Sequence, residues 1–145
     1  MDDIYFAGSI RGGRDDVGIY LSIIEHLGKY GKVLTEHIGN KNIGSSGENL
    51  EETEIHDRDM NWISQARTIV AEVTTASLGV GYEIGRIVER NVWAPEHERK
   101  KILCLYRPQI DKKLSAMIKG CRGLTNVDYG SVEEATAAID RFFSS

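Results

Sequence analysis

The chain has 145 residues, 41% of them hydrophobic and 28% charged, a balance that fits one globular domain able to bury a core without disulfides. Its formal net charge is −4, with 18 basic residues scattered among 22 acidic ones. A nucleic-acid polymer needs a basic stripe to neutralise its phosphates, so the charge pattern argues for a small ligand instead.

The start, Met1-Asp2-Asp3-Ile4-Tyr5, is acidic and then strand-like, unlike a secretory signal. No apolar run approaches the roughly 20 residues of a bilayer span. The two cysteines lack C-x-x-C spacing, so no metal ligand set is read from them. Cys104, inside Ile102-Leu103-Cys104-Leu105, reads as a small buried hydrophobe. The expected setting is reducing and intracellular, cytoplasmic or nuclear, without a membrane.

Short apolar runs at 4–7, 32–35, 68–72, 102–106 and 124–127 alternate with helical patterns at 15–30, 48–66, 80–91, 114–119 and 132–143. This alternation predicts one α/β domain over residues 1–145, Rossmann-like (flavodoxin-like), with a five-stranded parallel sheet flanked by helices. Ser131, followed by Glu134, predicts a capping box for the last helix. The Gly-rich stretch 39–47 and the charged, Pro95-containing stretch 92–101 read as loops. Open parallel sheets bind ligands beyond the carboxyl ends of their strands, where the strand order reverses. Chemistry is therefore expected at 8–14, 36–39, 74–79, 107–109 and near Asp128.

Three constellations lie in or near those segments. Gly8, Ser9, Ile10, Arg11, Gly12, Gly13 and Arg14 follow the first strand. Glycines there let backbone amides approach an anion, and Ser9, Arg11 and Arg14 add donors. The run is neither G-x-G-x-x-G nor a Walker A loop, so a phosphate cradle and a plain strand-to-helix turn both remain open. In Ser77-Leu78-Gly79-Val80-Gly81-Tyr82-Glu83, Ser77 can cap a helix whose free amides favour an anion. Glu83 falls beside the apolar face marked by Val80, Ile84 and Ile87, with space left at Gly79. A partly buried carboxylate there suits attack on a sugar carbon; a surface Glu83–Arg86 pair is the alternative. Asp59 sits within the stripe Ile55, Asp59, Trp62, Ile63 and Ala66. It is either a structural carboxylate or the second member of a glycosidase pair. His37, just past the second apolar run, can meet a base edge or be a loop histidine. His26, His56 and His97 read as helix-surface or loop residues.

Taken together, these blocks resemble one family. Tyr5-Phe6-Ala7-Gly8-Ser9-Ile10-Arg11-Gly12-Gly13-Arg14, Leu34-Thr35-Glu36-His37, Val70-Ala71-Glu72-Val73-Thr74 and Ser77 through Glu83 are similar to the 2′-deoxynucleoside 5′-monophosphate N-glycosidases. Ile102 through Pro108 and Leu114-Ser115-Ala116-Met117-Ile118 continue the likeness over nearly the whole chain. The family belongs to the nucleoside 2-deoxyribosyltransferase superfamily. The resemblance implies a homodimer and a retaining mechanism without metal or other cofactor. Glu83 would be the nucleophile, Asp59 the general acid and base, and Tyr5 the residue that holds Glu83. It maps phosphate and sugar contacts onto Gly8 through Arg14, Ser77 and Gly79. Ser115, with Ala116 and Met117 beside it, would reach the neighbouring subunit's site. The stretch 92–101 is longer than the family's usual link into the fourth strand.

Other functions use similar parts. A deoxyribosyltransferase would pass the sugar to a second base, and a CMP-type glycosidase would act on a ribonucleotide. A non-catalytic nucleotide-binding module would bind without turnover.

Overall fold

Strand residues alternate between two helical layers, and this parity decides which side chains can meet. The computed structural model describes residues 2–9, 16–35 and 50–145. Its strands are β1 (Ile4–Gly8), β2 (Thr68–Glu72), β3 (Lys101–Tyr106) and β4 (Thr125–Asp128), paired in parallel in the order β1-β2-β3-β4. The helices are α1 (Val17–Leu27), α2 (Glu52–Gln65), α3 (Leu78–Trp93), the single-turn α4 (Ala116–Lys119) and α5 (Val132–Ser144), with a 3₁₀ turn at Glu96–Glu98.

Ile4 and Phe6 of β1, Val70 of β2, and Leu103 and Leu105 of β3 face α1 and α5, where they pack on Tyr20, Ile23, Leu27, Ala138 and Ile139. Tyr5, Ala7, Ile69, Ala71, Ile102 and Cys104 face the other way, onto Ile63 of α2 and Val80, Ile84 and Ile87 of α3. Runs buried on both faces are what a parallel sheet covered by helices requires. Cys104 is fully buried, and burial pushes its thiol up to about 12. It is a core residue.

The strand expected at 32–35 is reduced to one bridge. Val33 pairs with Ile4, flanked by backbone bonds from Ile4 N to Lys32 O (2.8 Å) and from Leu34 N to Ile4 O (2.9 Å). Thr35 then turns its hydroxyl onto the Phe6 carbonyl, the acceptor that the next amide of a continuing ladder would use. Among the described residues the sheet therefore has four strands, not five. The path still reverses beside β1: the chain visits Val33 on one side and returns through α2 to β2 on the other. The first helix also begins later than 15, at Val17, and ends at Leu27. The 39–47 loop lies outside the described residues.

Lys100 closes the amino edge. It is 8% exposed, and its ammonium donates to the carbonyls of Ser64 (3.1 Å) and Ala66 (2.7 Å) at the end of α2. Burial holds its pKa below the usual lysine range. These carbonyls are orphan acceptors of a helix terminus, where a cation is favoured. Lys100→Met keeps the aliphatic stem but leaves the acceptors unpaired, and is expected to cost about 1–3 kcal/mol. Denaturant unfolding checks this; a loss within experimental error would remove Lys100 as the anchor of α2.

Candidate active site

β1 parity puts Tyr5 on the α2/α3 face, 1% exposed, and its hydroxyl donates a short hydrogen bond to Glu83 Oε2. Glu83 is delivered by α3. Ser77 caps that helix by accepting from Val80 N at 3.3 Å, and Val80, Ile84 and Ile87 bury its inner stripe. At the edge of that stripe, half-buried, Glu83 turns inward to Tyr5. Arg86 instead donates to the Tyr82 hydroxyl at 2.7 Å, so the surface Glu83–Arg86 pair is not the arrangement adopted. A Cβ added at Gly79 would meet only Ser77 Oγ, 3.8 Å away, which leaves the expected open space one turn before Glu83.

The electrostatics of this pair are unusual. Burial pushes the Glu83 carboxyl up to about 7; the Tyr5 hydrogen bond pulls it down, the Asp59 charge adds to the rise and His56 opposes it. Burial, then Glu83 and then Asp59, hold the Tyr5 hydroxyl far above its ordinary range. Tyr5 therefore remains a proton donor at any physiological pH. Asp59 thus stands close enough to act on both partners. Its side chain is 21% exposed, and Arg58 donates to Oδ1 from Nε (3.0 Å) and Nη2 (2.9 Å). The Arg58 guanidinium lies 4.6 Å over the Trp62 ring. Of the helical stripe around Asp59, Ile63 and Ala66 are buried, while Ile55 and Trp62 are only partly covered.

Gly8 and Ser9 lie at the carboxyl end of β1. A Cβ at Gly8 would come within 3.0 Å of the Tyr20 ring, so glycine is needed there for close packing. Ser9 is fully buried and its amide donates to the Tyr20 hydroxyl at 3.2 Å. Among the described residues its own hydroxyl has no hydrogen-bond partner, an exception among buried polar groups. Ile10, Arg11, Gly12, Gly13, Arg14 and His37 lie outside the described residues.

Ser115 caps α4 by accepting from Met117 N at 3.2 Å, and Ala116 opens that helix. A groove of about 580 Å³ separates α4 from the start of α3, lined among others by Ser77, Val80, Gly81, Tyr106, Ser115 and Met117. Glu83 is not among its lining residues; it faces Tyr5 on another side of α3. The structure therefore joins Ser77 to Ser115 and Glu83 to Tyr5, but not Ser115 to Glu83 within one chain.

Two clusters escaped the sequence reading. Glu72, fully buried on the opposite face of the sheet, accepts from Thr74 N (2.8 Å), Thr74 Oγ1 (2.6 Å) and the Tyr129 hydroxyl. Arg107 lies 3.9 Å from Glu72, bonds Tyr129 at 3.0 Å and pairs with Asp16 at 2.7 Å. The available signal was a charge inside the apolar run Ile69-Val70-Ala71-Glu72-Val73. The second cluster is on the surface: His56 Nε2 lies 2.9 Å from the Tyr82 hydroxyl. Among the described residues no group of three or more His, Cys, Asp or Glu side chains is arranged to hold a metal, and no helix is long and apolar enough to cross a membrane.

A family model described as nucleoside 2-deoxyribosyltransferase matches residues 4–129. The chain is 48% identical over 147 residues to a Tetraodon nigroviridis protein named 5-hydroxymethyl-dUMP N-hydrolase, covering 98% of this chain and 97% of that one. It is 44% identical over 146 residues to a human protein of the same name, covering 98% and 79% respectively. Among solved structures, the CMP N-glycosidase of Clostridium botulinum matches with a TM-score of 0.65 at 14% identity, over 97% of this chain and 99% of that one. This last likeness concerns the fold.

The raised carboxyl makes a stability prediction. From its ordinary 4.5 to about 7, the unfolded chain releases the Glu83 proton while the folded one retains it. Stability is therefore lost as pH rises through that window. Glu83→Gln should be more stable than the parent at pH 8 by on the order of 1–3 kcal/mol, and nearly equal to it at pH 4. Unfolding at the two pH values measures the difference; equal gains at both would mean Glu83 is not held protonated by burial.

Proposed function

Because the chain belongs to the nucleoside 2-deoxyribosyltransferase family, we propose that it hydrolyses the N-glycosidic bond of 2′-deoxynucleoside 5′-monophosphates to free base and 2-deoxyribose 5-phosphate. The observation that carries this reading is the Tyr5–Glu83 contact, with Asp59 within electrostatic range. Two carboxyl groups around one sugar carbon are the equipment of a retaining glycosidase. Relatives named for 5-hydroxymethyl-dUMP make that nucleotide the first substrate to try.

In the proposed cycle, Glu83 Oε attacks C1′ as the C1′–N bond breaks. The base leaves with the bonding electrons and takes a proton from Asp59. The sugar is then held as a glutamyl ester. Asp59, now a base, removes a proton from water, whose oxygen attacks C1′ and frees Glu83. Tyr5 keeps the attacking carboxylate aimed, and its hydrogen bond offsets part of the cost of ionising Glu83 in a buried setting. The oxocarbenium-like transition state is favoured by a carboxylate beside C1′.

The orphan hydroxyl of Ser9 supports a polar substrate group at the end of β1. A 5′-phosphate bound there and at Ser77 supplies binding energy remote from the reacting bond. Ser115 serves the site of a second subunit: it lies across α3 from Glu83 in its own chain, and Leu78 (97% exposed) and Met117 (82%) beside it leave an apolar surface suited to a homodimer contact.

Base release from deoxynucleoside monophosphates, run beside matching ribonucleotides and free nucleosides, tests the proposal. Release confined to deoxy monophosphates without an acceptor base is expected. A requirement for an acceptor would make the protein a transferase, and release from CMP alone a ribonucleotide glycosidase. Silence throughout would leave a binding module. Since Glu83 reacts ionised, kcat/KM should rise with pH through about 7. Glu83→Ala should lose turnover yet retain nucleotide binding; normal turnover would remove Glu83 as nucleophile.

A second set of measurements addresses Ser115. Ser115→Ala should weaken binding of the monophosphate and leave a free nucleoside nearly unaffected. Equal losses for both ligands would argue against a phosphate contact.

A further inference from the structure

The two helices that carry the carboxylates are anchored unequally. α3 buries Val80, Ile84 and Ile87 along its length. α2 has one fully buried residue, Ile63, and Lys100 grips its carboxyl end. Toward its amino end, residues 52–54, 56 and 57 are exposed, and Asp59 lies between the anchored end and this uncovered one. Small displacements of a reacting group on such a partly covered helix are expensive: about 1 Å can cost on the order of a hundredfold in rate.

Among the described residues, His56 supplies a tie to α3 near this more exposed end. It precedes Asp59 by three positions, so both project from adjoining parts of the same helical face. Its Nε2 lies 2.9 Å from the hydroxyl of Tyr82, the residue next to Glu83 on α3. The neighbouring charges define the bond. Asp57 Oδ1, 2.9 Å from Nδ1, can only accept from that nitrogen, which favours the Nδ1–H tautomer. Nε2 of neutral His56 is then the acceptor for the Tyr82 O–H. The Tyr82 oxygen in turn accepts from Arg86 at 2.7 Å, whose guanidinium sits 5.5 Å from the Tyr82 ring centre. Arg86 thereby holds the tyrosine toward α2. On protonation, His56 would donate to the Tyr82 oxygen instead, so the tie survives either charge state.

We propose that the His56–Tyr82 hydrogen bond is a clamp between α2 and α3 that sets the spacing of Asp59 and Glu83, making His56 and Tyr82 positioning residues for the reaction. This rests on reading Asp59 and Glu83 as the reacting pair. Neither clamp residue needs to touch the nucleotide. Its effect on rate passes through the two carboxylates.

Two readouts on the full chain test the clamp. The first is hydrogen exchange across α2 in Tyr82→Phe and His56→Ala. Amides of residues 56–60 should exchange at least about threefold faster, while those of α3 keep their protection, as expected when a local tie is lost. Unchanged exchange would overturn the clamp whether or not the enzyme assignment holds. The second is base release from 5-hydroxymethyl-dUMP. Each variant should lose about ten- to a hundredfold in kcat with KM changed less than about threefold. The double variant should be no slower than the slower single one, because both changes break the same bond. His56→Gln, whose amide can occupy the Nε2 position, should recover most of the rate. Faster exchange with an unaltered kcat, multiplicative losses in the double variant, or His56→Gln behaving like His56→Ala would each overturn the positioning role. A parent protein that releases no base would instead refute the proposed reaction, with exchange alone then judging the clamp.

Discussion

The meeting of Tyr5 with Glu83 depends on two independent constraints. Strand parity sends Tyr5 to the α2/α3 side of the sheet, and parallel pairing sets it opposite Ile69 of β2. α3 follows β2 and crosses back over the same face, burying Val80, Ile84 and Ile87. Given that phase, Glu83 has only the sheet or the solvent to turn to, and the Tyr5 hydroxyl makes the sheet acceptable. A one-residue slip of β1 would send Tyr5 to the α1/α5 side and leave Glu83 without a buried donor. The same hydrogen bond orients the Glu83 carboxyl group without pairing it with a cation.

Comparison with Glu72 shows why burial alone is not the signature of a reactive carboxylate. Glu72 is more deeply buried than Glu83, yet it accepts three hydrogen bonds and has the Arg107 cation 3.9 Å away. These are the conditions under which a buried charge is tolerated as structure. They tie β2 to Tyr129 beyond β4, to Arg107 beyond β3 and, through Arg107, to Asp16 before α1. Among the described residues, Glu83 has one hydrogen-bond donor, Tyr5, and the Asp59 charge nearby. Glu72 and Glu83 thus lie on opposite faces of the sheet, the first with three hydrogen-bond donors and the second with one among the described residues. That difference in pairing is the physical ground on which the α2/α3 face is proposed as the reactive one.

Much of this architecture is legible in the amino-acid sequence. Alternating short apolar runs and helical patterns are a strong signal, and four of the five expected strands form. The run at 32–35 contributes only the Val33–Ile4 bridge, and Thr35 spends its side chain on the Phe6 carbonyl, a contact that periodicity does not register. Glu83 was legible from its helical phase beside Val80 and Ile87. Its partner was not readable from pattern alone, since Tyr5 in an apolar strand looks like any core aromatic; only the family resemblance named it. The His56–Tyr82 contact and the Glu72 network lay beyond reach for a further reason. They depend on how one helix is rotated against another, and on which strand ends converge, and neither is encoded in local spacing.

The unequal packing of the two layers makes sense in these terms. α1 and α5 cover their face with large apolar side chains, among them Tyr20, Ile23, Leu27 and Ile139, and His26 and Tyr30 of the α1 side both bond Asp140 of α5, at 2.7 and 2.5 Å. The opposite face must hold an incompletely compensated carboxylate, leave a groove beside α4 and keep α2 only partly covered. Each of these lowers local stability, and a well-packed far layer lets the domain tolerate them. Functional groups commonly sit where local stability is low. Here the sheet separates the two demands, with cohesion on one side and exposed, adjustable polar geometry on the other. On the proposed reading, a carboxylate pair in a loosely covered layer needs its own short-range restraints, and Tyr5 within the sheet and His56 at the rim are the groups that would provide them.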